Sequence, residues 1–111
     1  MFIRTDLPIE QQIVQAAHAA LEAGRDLEKP KSISHLILLK VDSQDELIKI
    51  SEDLTRLNIQ YHMFYEPDYN RGYTSIATEP IYDRNPYFFK HSLYKYKPKR
   101  SYSQQDEVHF N

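Results

Sequence analysis

His18 is the side chain best placed by type to move a proton near neutral pH, because imidazole titrates closest to neutrality. It lies in the stretch IEQQIVQAAHAALE, residues 9–22. At about 100° per residue, Ile9, Ile13, Ala16, Ala17 and Ala20 fall on one side of a helical wheel, widened by Val14 and Leu21. His18 lies just beyond that stripe, near Gln11 and flanked by Gln15 and Glu22. The pattern predicts a helix packed through its alanines against a sheet, with the imidazole at the boundary between core and water. A histidine beside an apolar stripe also occurs as a hydrogen-bonded structural residue. His35 and His62 fall in strand-like sequence and read as packing or surface residues. His18, His62 and Glu66 have the chemistry to ligate zinc, but no close-spaced ligand pair accompanies them. Neither a metal nor a cofactor is expected. Gly24 and Gly72 are the only glycines, which leaves no phosphate-binding glycine fingerprint.

A second chemical feature lies near the C-terminal end. Residues 90–102, KHSLYKYKPKRSY, interleave Lys90, Lys95, Lys97, Lys99 and Arg100 with Tyr94, Tyr96 and Tyr102. Basic groups attract phosphates and tyrosine rings stack on unpaired bases, so this segment suits RNA contact. A soluble, flexible end has the same composition. The charge is unevenly spread: residues 1–89 carry 9 basic and 14 acidic side chains, net −5, whereas residues 90–111 carry 5 and 2, net +3.

The elements that must position these groups follow from the pattern. Phe2–Arg4 suits a short strand ending at Asp6. Pro8 fits a helix start, where a missing N–H is harmless, and Glu10 complements the positive end of the helix dipole. The helix is expected to run to about Ala23, with Gly24 as its C-terminal cap. His35–Val41, HLILLKV, is almost continuously apolar and predicts a strand buried on both faces at the centre of a sheet. Ser43 and Glu46 form a capping box for a helix reaching about Leu57, with Leu47, Ile50, Leu54 and Leu57 facing the core and Asn58 as its stop. Tyr61–Tyr65 reads as a strand, Glu66–Gly72 as a turn with Gly72 at positive φ, and Tyr73–Thr78 as a strand stopped by Pro80. Tyr87–Leu93 reads as a last packed element. The order β-α-β-α-β-β predicts an α/β sandwich with the earlier strands parallel. At 111 residues a single domain is expected, spanning residues 1–95, with 96–111 a polar basic tail too poor in aliphatics to order itself. With no cysteine, no signal-peptide pattern and no bilayer-length apolar run, the chain reads as soluble, free of the membrane and cytoplasmic.

The sequence resembles the archaeal and eukaryotic-type (type 2) peptidyl-tRNA hydrolases over about residues 1–95. Arg4-Thr5-Asp6-Leu7 matches the R-x-D-L opening of that family. Gln15-Ala16-Ala17-His18-Ala19 matches its Q-x-x-H-A helix, Leu39-Lys40-Val41 its L-K-V strand, and Thr74 to Pro80 the Thr-to-Pro spacing of its last strand. The resemblance implies a mixed four-stranded sheet with helices packed on both faces, in agreement with the element order, and a tRNA or peptidyl-tRNA as partner in translation. It also suggests a homodimer. Carried onto this chain, it implies His18, Glu66 or Asp68, and Thr74 as catalytic residues. Arg4, Asp6, Gln11 and Gln15 would contact substrate; the RNA contact expected of the tail residues Lys95, Lys97, Lys99 and Arg100 rests on their composition and not on the resemblance. The chain departs from the family in two places. Glu10-Gln11 stands where the family has Gly-Lys before the helix, and the shorter Glu66-Pro67-Asp68 turn replaces D-A-G-x-T-Q. Two readings therefore stand side by side: an ester hydrolase acting on peptidyl-tRNA, and a catalytically silent relative that binds RNA or protein through the same fold. Another small substrate in the same cleft is a third, because fold does not fix function.

Overall fold

The computed structural model describes residues 1–32, 35–82 and 85–95. Its elements are β1 (Phe2–Arg4), α1 (Ile9–Asp26), β2 (Leu39–Val41), α2 (Gln44–Arg56), β3 (Tyr61–Glu66), β4 (Gly72–Thr78) and the short α3 (Pro86–Phe89). The four strands form one mixed sheet in the order β2-β1-β4-β3. β1 runs parallel to β2, as the α1 crossover requires, and antiparallel to β4. β3 and β4 make a hairpin, with Met63 opposite Ile76.

The two faces of the sheet are built differently. On one, Phe2, Leu39, Val41 and Ile76 meet Leu47, Ile50 and Leu54 of α2 in a continuous apolar cluster, with Tyr87 and Phe88 packed against its margin. α2 starts as its sequence predicts: Ser43 accepts from the Glu46 N–H at 3.2 Å. It ends at Arg56, and Asn58 beyond the cap takes the left-handed conformation (φ 61°) that stops it. Leu57, expected in the core, instead caps the helix and is exposed. The other face is covered by α1, which touches β4, β3 and β1. Here the buried side chains include Ile3, Ala19 and Ala77, together with Gln12, Gln15, Thr74 and Ser75.

Three expectations about these elements are corrected. First, α1 is rolled about its axis relative to the apolar stripe. Its buried residues are Gln12, Gln15 and Ala19, while Ile13 is 65 % and Leu21 73 % exposed. The polar side chains go inward because the backbone offers them partners: Gln12 donates to the carbonyls of Thr5 and Leu7 and accepts from the Tyr94 hydroxyl. Second, α1 passes through Gly24 and ends at Asp26, where the Leu27 N–H closes on the Ala23 carbonyl at 2.9 Å. Its last turn is held by Glu22 and Asp26, which both face His62. Third, β2 is shorter than the apolar run around it and lies at the sheet edge, not its centre. β1 and β4 take the central places, and Leu36 and Ile37 are exposed. Residues 92–94 run along that edge, with Lys40 N–H donating to Ser92 O and Tyr94 N–H to Leu38 O. The tail proposed for residues 96–111 lies outside the described residues.

Candidate functional site

The site is built by α1 lying across β3 and β4. Alternation along β3 turns His62, Phe64 and Glu66 toward the helix, and residues three or four apart on α1 meet them in rungs. Glu22 and Asp26 face His62, with Nε2 to oxygen distances of 3.4 and 3.3 Å. His18 stacks on Phe64, ring centroids 4.6 Å apart and planes 11° from parallel. Gln15 reaches Glu66: its Nε2 donates to Oε1 at 3.3 Å and to Gln11 Oε1 at 3.4 Å.

Gln15 is the hub of this arrangement. Its Oε1 accepts from the Thr74 hydroxyl at 3.0 Å, and its backbone carbonyl accepts from the Ser75 hydroxyl at 2.9 Å. That two consecutive residues of one strand point at the same helix is the work of an irregularity in the hairpin. Phe64 pairs with Ser75 and Tyr65 with Tyr73, so Thr74 is the extra residue of a bulge. Bulges re-aim side chains in this way, frequently beside functional sites. Gln15 and Thr74 are both fully buried. The Thr74 hydroxyl fixes the amide so that its N–H₂ group is presented to Glu66 and Gln11.

The remaining candidates fall around this hub. His18 is one helical turn from Gln15, exposed on its outer side, and no hydrogen bond joins it to Glu66 or Thr74 among the described residues. Of the two acidic residues, Glu66 is brought to Gln15, whereas Asp68 sits exposed in a 3-10 turn, Asp68–Asn70. Arg4 and Asp6 form a two-pronged ion pair at 2.8 and 2.7 Å. Arg4 also donates to the carbonyls of Arg71 at 2.5 Å and Tyr73 at 2.9 Å. They brace the turn end of the β3–β4 hairpin, on both sides of Gly72 and next to Thr74. Lys95 is exposed; Lys97, Lys99 and Arg100 lie outside the described residues.

The hairpin is secured from the other face as well. Gly72 has φ +71°, and a Cβ there would lie 2.0 Å from Gln44 Oε1. That same oxygen accepts from the Tyr73 N–H at 2.8 Å. Sequence reasoning found Gly72 but missed Phe64, Ser75 and Gln44. The alternation of His62, Phe64 and Glu66 would have placed Phe64 beside the imidazole; no sequence signal marks the bulge.

Among the described residues no group of three or more His, Asp or Glu side chains is arranged to hold a metal ion. No helix there is long and apolar enough to cross a membrane. Compared with models of known protein families, residues 1–84 match the one described as Peptidyl-tRNA hydrolase PTH2. Neither a curated protein nor a solved structure gives a match.

Proposed function

The chain belongs to the peptidyl-tRNA hydrolase PTH2 family, and from that premise we propose that it hydrolyses the ester joining a peptide to the ribose at the 3′ end of a tRNA. The observation that supports this reading is the convergence on Gln15. Its amide is gripped by Thr74, faces Glu66 and Gln11, and lies one turn from an accessible imidazole. Ester hydrolysis needs water activated, negative charge on the tetrahedral oxygen stabilised, and the leaving hydroxyl protonated. In this reading His18 carries the proton. Glu66 orients or charge-couples the imidazole, with Asp68 the alternative acid. The side-chain amide nitrogen of Gln11 donates to the oxyanion, the buried Gln15 holds Gln11 by its oxygen, and Thr74 serves by holding Gln15. Arg4 and Asp6 keep the hairpin against the substrate end of α1. The partners are a tRNA or peptidyl-tRNA and a second copy of the chain, and the setting is translation in the cytoplasm.

A second reading, a silent relative that binds without turnover, is favoured by two observations: Gln15 and Thr74 are sealed from water, and Glu10-Gln11 stands where the family has Gly-Lys. One experiment separates the two. Purified chain is given peptidyl-tRNA, and release of the peptide is followed beside binding of the same substrate. The hydrolase reading expects turnover that falls by about 10²- to 10⁴-fold in His18→Ala with binding retained. Binding without turnover in the wild type would establish the second reading.

The division into a domain of residues 1–95 and an RNA-contacting tail belongs to the same proposal. Removing residues 96–111 keeps the Tyr94 hydroxyl on Gln12 and is expected to lower tRNA affinity and flatten its salt dependence. An unchanged slope in a salt titration would remove the tail from the RNA surface.

A further inference from the structure

The turn joining β3 to β4 holds an aromatic ring that neither packing nor backbone preference explains. Tyr69 has φ 56° and ψ 27°, in the left-handed region, which bulky side chains rarely adopt. Asn70 beside it (φ 55°) and Gly72 (φ 71°) share that region, and both residue types tolerate it. Asparagine or glycine at position 69 would close the same turn with less strain. Burial offers no compensation, because Tyr69 is 86 % exposed. The guanidinium of Arg71 lies over one face of the ring, 5.3 Å from its centroid, a contact that contributes little at an exposed site. Strain held in place by its surroundings is characteristic of ligand-binding segments. Here the Arg71 N–H donates to the Asp68 carbonyl at 3.2 Å, and Arg4 grips the Arg71 and Tyr73 carbonyls. The ring also lies in the stretch where the chain departs from the family's D-A-G-x-T-Q turn.

We propose that Tyr69 is the platform on which an unpaired base at the 3′ end of the substrate RNA stacks, beside the Gln15–Glu66 group. The claim rests on the reading of that substrate as a peptidyl-tRNA. Reach supports it. Tyr69 is three residues from Glu66, at most about 11 Å of chain, and Glu66 is the acid that Gln15 contacts. The ester and the terminal base hang from one ribose, so a base stacked here sets the ester beside that group. Chemistry selects the partner. An exposed tyrosine ring with a guanidinium against it is the composition of sites that stack single-stranded bases. Asp68, Asn70 and Gly72 around it bring no aliphatic surface of the kind a protein interface buries at its centre. The carboxylates of Glu66 and Asp68 repel phosphates, which leaves the base as the part of a nucleotide that the turn accepts. Because Arg4 pins the turn, the ring is positioned before the RNA arrives, and little ordering is lost on binding.

The test compares binding of an RNA minihelix ending in an unpaired 3′-ACCA with binding of the same minihelix cut blunt. Neither carries an ester, so the result does not depend on turnover. The full chain is expected to prefer the overhang. Tyr69→Ala should weaken overhang binding by about five- to hundredfold and leave blunt binding unchanged, while Tyr69→Trp keeps the preference. The salt dependence should not move, since the ring neutralises no phosphate. Tyr65→Ala, which removes a half-exposed ring from the opposite face of β3, is the control and should alter neither RNA. Tyr69→Gly should lose the preference yet raise the midpoint of urea unfolding, because glycine accepts the positive φ. A wild type indifferent to the overhang, as a turn built for a protein partner would be, overturns the proposal. So does an alanine variant that keeps the preference, or a glycine variant with a lowered midpoint. Peptidyl-tRNA turnover with an unchanged KM in Tyr69→Ala would sink the platform and leave the hydrolase reading standing. Overhang preference without turnover in the wild type would do the reverse.

Discussion

A buried glutamine decides what the neighbouring residues can do. Gln15 sits where no solvent reaches, and each half of its amide is committed: the oxygen to Thr74, the nitrogen to Glu66 and Gln11. Replacing it by leucine keeps the volume but strands the Thr74 hydroxyl in the interior, which costs on the order of 1–3 kcal/mol. We expect Gln15→Leu to lower unfolding stability by that amount in urea titration, and the double variant Gln15→Leu/Thr74→Val to regain most of it. A Gln15→Leu chain as stable as the wild type would mean that the pair contributes nothing. Gly72 gives a second residue-scale test. Its positive φ is strained for any other residue, and an added methyl would drive Gln44 off the Tyr73 N–H. Gly72→Ala is expected to cost about 1–3 kcal/mol, with part recovered when Gln44 is also shortened to alanine. Full stability in the single variant would deny the clash.

At the scale of elements, the rungs between α1 and β3 show what could and could not be read beforehand. The capping box at Ser43, the stop at Asn58, the positive φ of Gly72 and the order of the elements were all legible, because each is a local preference of a few adjacent residues. The roll of α1 was not. A helical wheel ranks faces by hydrophobicity, and here the buried face was chosen by hydrogen-bond partners at Thr5, Leu7, Thr74 and Glu66, which are distant in sequence. The edge position of β2 was hidden for a related reason: residues 92–94 cover it, so the apolar run resembled that of a central strand. The bulge that turns both Thr74 and Ser75 toward α1 is a property of the pairing and leaves no trace in either strand alone. The segment after α3 carries its own pH dependence. His91 lies edge-on to Phe2 and beside Tyr87, its Nε2 buried without a hydrogen-bond partner among the described residues. Burial, and then the charge of Lys90, hold its pKa below the ordinary 6.5, against the weaker opposite pull of Glu46 and Asp53. The unfolded chain therefore takes up a proton below about pH 6.5 that the folded chain refuses, so stability falls as pH drops from there toward the folded pKa. Thermal or urea unfolding between pH 7.5 and 5 should show this loss in the wild type and a smaller one in His91→Phe. Equal pH dependence in the two would exclude His91 as its source.

Across the whole molecule, the sheet separates two kinds of packing. One face holds the apolar cluster with α2 and supplies the core; the other holds α1 by buried polar contacts and carries the candidate site. The family match over residues 1–84 covers both faces and ends before α3. The account stands on the imidazole of His18 working beside the Gln15–Glu66–Thr74 group. The most direct measurement is the pH–rate profile of peptidyl-tRNA hydrolysis by the wild type, with His18→Ala run alongside. We predict turnover above buffer in the wild type whose pH dependence changes, with a rate loss of about 10²-fold or more, in the variant. A wild type no faster than buffer, or two superimposable profiles, would contradict it.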